Sequence, residues 1–404
     1  MRILFLSPRQ CWPPQGGAKL REYYFLKALG RCAEVHHVHF AELGTQPMTR
    51  TDLPFCREVI SVTKPRAYTP WKIARGLMGR WPTPVLNYWS PAMQAVLQEI
   101  VDGQEFDLLH IDSIHMSPYA ESLARNGRKE TPVVYDWHNI ESELMARYSE
   151  AEGSAARRVY SAITARRLQR LERFNLWNSF GHIVCSEREL DQLRAIAPKA
   201  RLAVVANGVD TEHLGCARAS NATRKRILFV GLMAYHANVE AVIPFTRKIW
   251  PAIRERLPDH VLTIVGASPV PEVLALRDVA GVEVTGTVED VRSYYHEALA
   301  AVVPLRTGSG TRLKILEAMA AGVPVVSTAF GAEGLAVQPG VNILIAGADD
   351  RQAWVDALAG LTLDEARRQA LTTAASQLVR KRYDWGMLGE SLCGIYRDWL
   401  ERAS

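Results

Sequence analysis

The chain has 404 residues, of which 48% are hydrophobic and 23% charged, so its composition is that of a globular protein about twice as long as one core usually fills, and we expect two domains. The six cysteines show no CxxC spacing, which argues against a disulfide framework or a zinc knuckle and favours a reducing compartment. No apolar run approaches the length of a membrane span or resembles a signal peptide, which argues against an integral membrane protein. We therefore expect a cytoplasmic location. The formal net charge of +5 is uneven: residues 1–205 hold 27 Lys/Arg against 21 Asp/Glu, which indicates either an anionic partner or simply solvated helix faces.

Short apolar runs alternate with helical patterns along the first half of the chain. The first run is RILFLS (Arg2–Ser7), and a closely similar run, RILFVG (Arg226–Gly231), begins 224 residues later, as if a second sheet starts there. The runs between them read EVHHVHF, FDLLHID, TPVVYDW, HIVCS and RLAVVAN. Continuous apolar strands separated by helices predict a parallel sheet covered on both faces.

The second half repeats this alternation with HVLTIVG, VEVTG, AAVVPL and VPVVST. A polar stretch over 206–225 has no strand pattern, so we expect domains at 1–205 and 206–384. The last apolar residues are spaced three or four apart: Trp385, Leu388, Leu392, Ile395 and Trp399. This spacing predicts an amphipathic helix over 385–404, which must bury its stripe and is expected to cross back to the first domain.

The stretch GSGTRLKILEAMAAGVPVVST (Gly308–Thr328) places two cations and a carboxylate in the first turns of a helix that otherwise suits the core. Its glycines let the backbone approach a ligand, and the helix N-terminus offers free N–H groups to a phosphate. Lys314 and Glu317 share one helix face, so a cation for phosphate oxygens lies beside a carboxylate that accepts from ribose hydroxyls. The alternative is a tight loop followed by a surface Lys–Glu pair.

At this stretch the sequence resembles the retaining glycosyltransferases of family 4, group 1, with the GT-B fold, whose signature helix reads E-x7-E-A-M-A-x-G-x-P-V. LEAMAAGVPVV matches this signature around its second glutamate, Glu317. The resemblance spans nearly the whole chain and includes, in the family's order, PPQGGAKLREY, DWHNIE, VCSERELDQL, ANGVDTEHL, FVGLMAYHANVEA and VTGTVEDV. It implies an α/β fold of two doubly wound Rossmann-like domains that face each other across a cleft, with the C-terminal helix crossing back to the first domain.

The sequence departs from the family pattern at two places. Ser309 stands where the signature has its first glutamate, a residue that usually contacts the transferred sugar. The Arg and Lys that the family carries after the first strand of the second domain are missing from GLMAYHANVEA. We therefore expect Arg312 or Lys314 to neutralise the diphosphate of the donor.

The resemblance also implies roles for residues outside the signature. His138 follows a buried strand and would touch the donor sugar at the reaction centre, although a lone histidine is more often structural. Gly16 and Gly17 resemble the glycine loop that faces the donor phosphates, and the backbone near Val288 resembles the loop that reads the base; these positions and Gly231 also suit tight turns. The catalytic residues expected in total are His138, Glu317 and Lys314, and the donor contacts are Gly16, Gly17, Gly231, Val288, Ser309, Gly310, Thr311, Arg312 and Leu313.

Two asparagines suit structural duties better than ligand contact. Asn207, with Gly208, lies in the family's linker motif and is expected to form a turn and hinge. Asn238 is expected to be a helix N-cap.

The sequence offers little for a metal or a cofactor. His36, His37 and His39 suggest a metal cluster, but along a strand only His37 and His39 share a face. No D-x-D motif is present, which disfavours the glycosyltransferases of the other major fold, and no G-x-G-x-x-G motif is present, which disfavours a dehydrogenase. We expect no metal, no cofactor and no nucleic-acid partner.

The expected function is a metal-independent transfer of a sugar, with retention, from a nucleotide diphosphate to the hydroxyl of an acceptor glycan or lipid-linked sugar, in cell-envelope polysaccharide or glycolipid synthesis. The second domain would hold the nucleotide and the first the acceptor, and helix N–H groups with a cation would stabilise the leaving diphosphate. The alternatives are a phosphorylase or sugar-nucleotide epimerase on the same fold, and a non-catalytic sugar-nucleotide-binding protein, which Ser309 makes conceivable.

The stretch KPRAYTPWKIARGLMGRWPTPVLNYW (Lys64–Trp89) mixes five cations with Trp71, Trp81 and Trp89. This composition suits a membrane interface, where rings lie among head groups and cations meet anionic lipid. It predicts peripheral contact with the inner face of a membrane and a lipid-linked acceptor. The alternative is a surface loop and helix whose tryptophans complete the domain core.

Overall fold

The computed structural model describes residues 1–14, 16–125, 131–151, 154–215, 225–308 and 310–403. The chain forms two compact units: unit 1 is Met1–Ala206 with Leu388–Ser404, and unit 2 is Asn207–Met387. Each unit is built on one sheet in which every paired strand is parallel. The two parallel-sheet α/β domains predicted from the apolar runs are confirmed.

The sheet of unit 1 has seven strands among the described residues. They are β1 (Arg2–Ser7), β2 (Glu34–Ala41), β3 (Glu58–Thr63), β4 (Leu108–Asp112), β5 (Val133–Trp137), β6 (Gly181–Val184) and β7 (Leu202–Val204). Their order is β3-β2-β1-β4-β5-β6-β7, so the direction of winding reverses between β1 and β4. In open α/β sheets, ligands bind beyond the carboxyl ends of the strands at such a reversal.

Helices surround this sheet. They are α1 (Gly17–Cys32), α2 (Pro70–Met78), α3 (Thr83–Leu86), α4 (Pro91–Gly103), α5 (Ser117–Arg125), α6 (Glu141–Ala151), α7 (Ala155–Asn178) and α8 (Glu187–Ile196). The start of α8 shows how the sequence sets a helix boundary: Ser186 Oγ accepts from the amide of Glu189, whose carboxylate accepts from the amide of Cys185 at 3.0 Å. This reciprocal capping fixes the chain immediately after β6.

Unit 2 repeats the arrangement with six strands among its described residues. They are β8 (Arg226–Val230), β9 (Val261–Val265), β10 (Val282–Gly286), β11 (Ala298–Val303), β12 (Val325–Ser327) and β13 (Leu344–Ile345). The order is β10-β9-β8-β11-β12-β13, with the reversal between β8 and β11. The helices are α9 (Thr211–Gly215), α10 (His236–Pro244), α11 (Trp250–Arg256), α12 (Pro271–Leu274), α13 (Arg292–Glu297), α14 (Leu313–Ala320), α15 (Arg351–Leu363) and α16 (Glu365–Arg382).

Two edge strands were missing from the predicted runs. β3 has mostly half-buried side chains and lacks a continuous apolar run, and β13 is two residues long. The five other strands of unit 2 and the six other strands of unit 1 coincide with predicted runs. Edge strands are harder to recognise because a sheet edge does not require side chains that are buried on both faces.

The last helix, α17 (Trp385–Glu401), begins in unit 2 and ends in unit 1. In unit 1 the hydroxyl of Tyr396 is hydrogen-bonded to His110 Nδ1. The helix packs closely on its surroundings: a Cβ added at Gly181 would overlap the ring of Trp399, and one added at Gly389 would lie 2.5 Å from the Cβ of Ala28. The apolar stripe predicted for this helix is thus used against unit 1.

The cysteines correct one expectation. Cys32 on α1 and Cys393 on α17 form a disulfide, with their Cα atoms 6.5 Å apart. The two residues are separated by 361 positions, so the absence of a local CxxC spacing could not exclude the pair. Cys11, Cys56 and Cys185 are free and buried, and Cys216 lies outside the described residues.

No helix in the described part of the chain combines the length and the apolarity that a membrane crossing would require.

Candidate active site

The glycine-rich segment predicted to hold a phosphate leads into α14 of unit 2. Gly308 has φ +115° and Gly310 has φ +82°, values that side-chain-bearing residues rarely adopt. A Cβ added at Gly308 would lie 2.9 Å from the Cβ of Ala237, so the loop lies close to α10. Ser309, which replaces the first signature glutamate, lies outside the described residues.

Lys314 extends from α14 to the carboxyl end of β8. Its Nζ donates a hydrogen bond to Asn238 Oδ1 at 2.5 Å and lies 4.7 Å from the centre of the Phe229 ring. A Cβ added at Gly231 would lie 3.1 Å from this Nζ, so the glycine leaves space for the ammonium group. Burial lowers the pKa of Lys314 to about 7, although the nearby carboxylate of Glu317 raises it.

The role predicted for Asn238 is wrong. The N-cap of α10 is Tyr235, and Asn238 lies in the first turn, buried. Its amide donates to the carbonyl of Leu232 at 2.8 Å, and its Oδ1 accepts from Lys314. The side chain therefore holds the lysine at the end of β8, a position that the family pattern fills with a cation from the loop itself.

Glu317 lies on the same face of α14 as Lys314, as the spacing predicted. The hydroxyl of Tyr295, which is fully buried on α13, donates to Glu317 Oε2 at 3.2 Å. Burial raises the pKa of Glu317, while this hydrogen bond and Lys314 lower it. Tyr295 thus fixes one carboxylate oxygen and leaves the other able to accept.

Arg312, the second candidate cation, is the N-cap residue of α14 and is 7% exposed. Its guanidinium carbon lies 5.0 Å from the centre of the Phe330 ring, and its Nη2 donates to the carbonyl of Gly308 at 3.2 Å. Next to it, Thr311 Oγ1 accepts from Asn207 Nδ2 at 2.8 Å. Asn207, which was expected to form a turn and hinge, therefore contacts the loop that precedes α14.

The other predicted donor contacts lie at separate places. Leu313 is the first residue of α14, and Val288 lies in the loop after β10, following Gly286 with φ +78°. Gly16, with φ +86°, is the N-cap of α1 in unit 1, and Gly17 is the first residue of that helix. Among the described residues beyond its chain neighbours, no heavy atom lies within 4 Å of a Cβ added at Gly16.

His138 follows β5 directly, and strand ends hold it in place. Its Nε2 lies 2.7 Å from Asp112 Oδ1, at the end of β4, and 3.8 Å from Asp136 Oδ2. The register pairs Asp112 with Asp136, so the two carboxylates lie side by side. The His138 side chain is 11% exposed. A neutral imidazole that donates through Nε2 keeps Nδ1 as an acceptor.

Arg21 on α1 binds the second of these carboxylates. Its Nε and Nη2 donate to the two oxygens of Asp136 at 2.7 and 2.6 Å, and its Nη1 donates to the carbonyl of Val205 at 2.7 Å. Both side chains are fully buried. The pair holds α1 against the carboxyl edge of the sheet.

Five residues near these sites were not predicted from the sequence: Arg21, Glu22, Asp112, Asp136 and Tyr295. A signal was present for two of them, because FDLLHID and VVYDW each end or nearly end a buried strand with an aspartate. Arg21 and Glu22 offered a weaker one, as charged residues between the apolar positions of α1. Nothing local in the sequence marks Tyr295, which contacts Glu317 only through the fold.

The described residues include two sets of possible metal ligands whose atoms lie within 4.8 Å of one another. One is Glu22, Asp112 and His138, and the other is His110, Asp112 and Asp136. The histidines of β2 form neither set. His37 and His39 share a face, with ring centres 4.8 Å apart, and are hydrogen-bonded to Ser7 and Ser61, whereas His36 pairs with Glu34 and Glu58.

Curated relatives match parts of the chain. A D-inositol 3-phosphate glycosyltransferase from Corynebacterium urealyticum is 37% identical over 109 residues, which are 27% of this chain and 25% of the relative. A GDP-mannose-dependent alpha-(1-6)-phosphatidylinositol monomannoside mannosyltransferase from Mycobacterium tuberculosis is 29% identical over 221 residues, 50% of this chain and 57% of the relative. The matched segments thus span about a quarter to just over half of the length of these relatives.

Solved structures match over nearly the whole length. The sucrose-phosphate synthase from Thermosynechococcus elongatus covers 100% of both chains with a TM-score of 0.72 and 18% identity. HepE from Anabaena, solved in complex with UDP-glucose, covers 98% of this chain and 100% of its own, with a TM-score of 0.64 and 16% identity. At these identities the matches show the fold.

Two family models match consecutive parts of the sequence. The model described as "Glycosyl transferase 4-like domain" matches residues 25–208, and the model described as "Glycosyl transferases group 1" matches residues 224–364. The first match lies almost entirely in unit 1 and the second in unit 2. The chain belongs to the GT-B glycosyltransferases of the group 1, family 4 type.

Proposed function

We propose that this protein transfers a sugar, with retention, from a nucleotide-diphosphate sugar to an acceptor hydroxyl, without a metal. The observation that carries the proposal is the pair Lys314 and Glu317, held by Asn238 and Tyr295 at the carboxyl edge of the unit 2 sheet. The names of the relatives support the substrate class, since one is described as GDP-mannose-dependent and HepE was solved with UDP-glucose.

Unit 2 supplies the groups for the leaving diphosphate. As the bond between the anomeric carbon and the diphosphate oxygen breaks, the electron pair and the growing negative charge move to that oxygen. Protonated Lys314 and the first N–H groups of α14 stabilise this negative charge. Preorganised donors of this kind usually supply the largest share of the rate enhancement. Arg312 adds a second positive charge beside the loop. Glu317 accepts from the ribose hydroxyls.

Unit 1 supplies His138 for the sugar end of the donor. Asp112 accepts the Nε2–H, so the imidazole can accept a hydrogen bond from a sugar hydroxyl through Nδ1. No side chain is proposed as a covalent nucleophile. The acceptor hydroxyl attacks from the face that the diphosphate leaves, and its proton passes to the departing phosphate oxygen, which gives retention.

The acceptor is proposed to be a lipid-linked or envelope glycan, reached from the inner face of a membrane. On and beside α2, the exposed fractions of Tyr68, Trp71 and Met78 are 58%, 71% and 81%. Trp81 and Trp89 instead pack against buried clusters, so the structure divides the three tryptophans between surface and core. Exposed rings among cations suit a layer of anionic head groups.

Vesicle cosedimentation tests this contact. Vesicles of phosphatidylcholine with phosphatidylglycerol should bind the protein at low salt, and high salt or removal of the anionic lipid should weaken binding. Trp71→Ser with Met78→Ser should reduce binding, whereas Leu363→Ser, a 73% exposed residue of unit 2, should not. If the Trp71→Ser, Met78→Ser double variant binds vesicles as well as Leu363→Ser does, the α2 surface is not the membrane contact, and a soluble acceptor becomes the better account.

The donor is tested by thermal unfolding with a panel of nucleotide sugars, because a ligand that binds only the folded state raises its stability. Glu317→Ala should weaken binding of the stabilising donor by about 1.5–3 kcal/mol, the range for hydrogen bonds to charged groups. Unchanged donor affinity in the folded variant would refute the ribose assignment. Product analysis then separates the alternatives: sugar phosphate indicates a phosphorylase, an epimerised donor an epimerase, and an unaltered donor a binding protein.

A further inference from the structure

Glu22 has no role in the proposed reaction, yet its carboxyl group is completely buried beside His138. It lies on α1, next to Arg21, and one oxygen each of Glu22 and Asp112 and one ring nitrogen of His138 lie within 4.8 Å of one another. A buried carboxylate is strongly destabilising unless it is paired and hydrogen-bonded. The buried acid of Glu22 therefore calls for an explanation.

The cluster of Glu22, Asp112 and His138 contains buried acceptor oxygens for which the described residues offer no donor. Asp112 Oδ1 accepts from His138 Nε2, but Asp112 Oδ2 and both oxygens of Glu22 have no hydrogen-bond partner among the described residues. Two ionised carboxylates offer only acceptors and cannot satisfy each other. A protonated carboxyl group donates through its hydroxyl, so one proton on Glu22 supplies the donor that Asp112 Oδ2 lacks.

The surrounding charges favour such a proton. Arg21 is committed to Asp136 and to a backbone carbonyl. Arg9 Nη1 approaches Glu22 Oε1 to 3.4 Å, but Arg9 is 28% exposed and therefore shares its charge with solvent. Burial and the neighbouring Asp112 raise the pKa of Glu22 well above its usual range, while Arg9 lowers it. When two carboxyl groups share a site, one of them takes up a proton.

We propose that Glu22 is a positioning residue for His138. Its carboxylic acid donates to Asp112 Oδ2, which fixes the Asp112 side chain so that Oδ1 accepts the Nε2–H of the imidazole. The Nε2–H of His138 is thereby held on Asp112, with Nδ1 as the acceptor for a substrate hydroxyl. This inference rests on the proposed function only in placing His138 at the sugar end of the donor.

The test is the tautomer of His138, observed by long-range proton–nitrogen NMR of protein labelled with ¹⁵N-histidine at pH 7.5, without any substrate. His138→Gln assigns the signals. We expect the neutral Nε2–H form in the wild-type protein and in Glu22→Gln, because the glutamine amide donates to Asp112 as the acid does. Glu22→Leu removes the donor and should give mixed tautomers or an imidazolium. Glu121 lies on α5, and its largely buried carboxyl group is paired with Arg80, so Glu121→Gln is a control that should leave the His138 signals unchanged.

Three results would overturn the proposal. The first is a wild-type imidazole that is protonated on both nitrogens. The second is a changed donor requirement: either Glu22→Leu keeps the wild-type tautomer, or Glu22→Gln loses it as Glu22→Leu does. Loss in Glu22→Gln would show that His138 needs a negative charge at this position and not a hydrogen-bond donor. The third is stoichiometric zinc or manganese in the purified protein that Glu22→Gln loses, which would make the cluster a metal site. The melting temperature of each variant confirms folding, and none of these readouts depends on whether the protein transfers a sugar.

Discussion

Replacing Lys314 should weaken the binding of a nucleoside diphosphate by a predictable amount. Its ammonium group is the cation at the carboxyl end of β8, held 2.5 Å from Asn238 Oδ1, and a hydrogen bond to a charged group contributes about 1.5–3 kcal/mol. Lys314→Met should therefore raise the dissociation constant roughly 10- to 150-fold at 25 °C. Isothermal titration calorimetry with the diphosphate of the stabilising donor measures this. Lys225→Met, which changes an exposed lysine of the same unit paired with Asp259, is the control.

The same lysine should make binding depend on pH. Burial lowers the pKa of Lys314 to about 7, and a bound diphosphate raises it, so the complex takes up a proton above pH 7. Affinity should therefore fall as the pH rises from 7 to 9, by up to about tenfold per unit. Lys314→Arg keeps its charge over this range and should remove the slope. Wild-type affinity in Lys314→Met, or a wild-type affinity that is constant from pH 7 to 9, would contradict this role of Lys314.

Three further predictions concern unit 1. His138→Ala should depress turnover severely and leave diphosphate affinity nearly intact; a collapse of diphosphate binding in the folded variant would place the residue at the wrong end of the donor. Arg21→Met leaves Asp136 buried without its counter-charge and should lower the free energy of unfolding, measured by urea titration, by about 3–5 kcal/mol. The control Arg2→Met, at an exposed ion pair, should lower it by about 0–1 kcal/mol. Equal losses would show that the buried pair contributes no more to stability than the exposed one. The free energy of unfolding should also fall as the pH drops from about 6.5 to about 4, because histidines in the unfolded chain then bind protons that the buried imidazoles of the folded protein do not. Burial lowers the pKa of five histidines: His37, His39, His110, His115 and His182. A calorimetric stability that does not change over this pH range would contradict the prediction.

The fold was predictable because buried parallel strands carry an unusually plain signal. Runs such as RILFLS and RILFVG are continuous and apolar, and the structure confirms them as β1 and β8. The edge strand β3 lacks such a run, and the pair Cys32–Cys393 is set by contacts between distant parts of the chain, so neither was predicted. Sequence spacing does not report such contacts.

The site was predictable only where its residues are close together in the sequence. Lys314 and Glu317 lie three residues apart on one helix, so their common face follows from helix geometry. Their partners, Asn238 and Tyr295, come from other helices and are brought near only by the packing of unit 2. Asn238 shows the resulting error most clearly. Its place near the start of a helix suggested an N-cap, but in the fold its Oδ1 accepts from Lys314, which is 76 residues away in the sequence.

The central claim, retaining transfer from a nucleotide sugar bound through unit 2, is tested most directly by the stereochemistry of donor cleavage. Proton NMR should follow the first sugar released from the stabilising nucleotide sugar, before mutarotation, with wild-type protein and with Lys314→Met in parallel. We predict that the released sugar first has the anomeric configuration of the donor, and that Lys314→Met releases it much more slowly. An inverted anomer would contradict retention, and equal release by the variant would contradict the site.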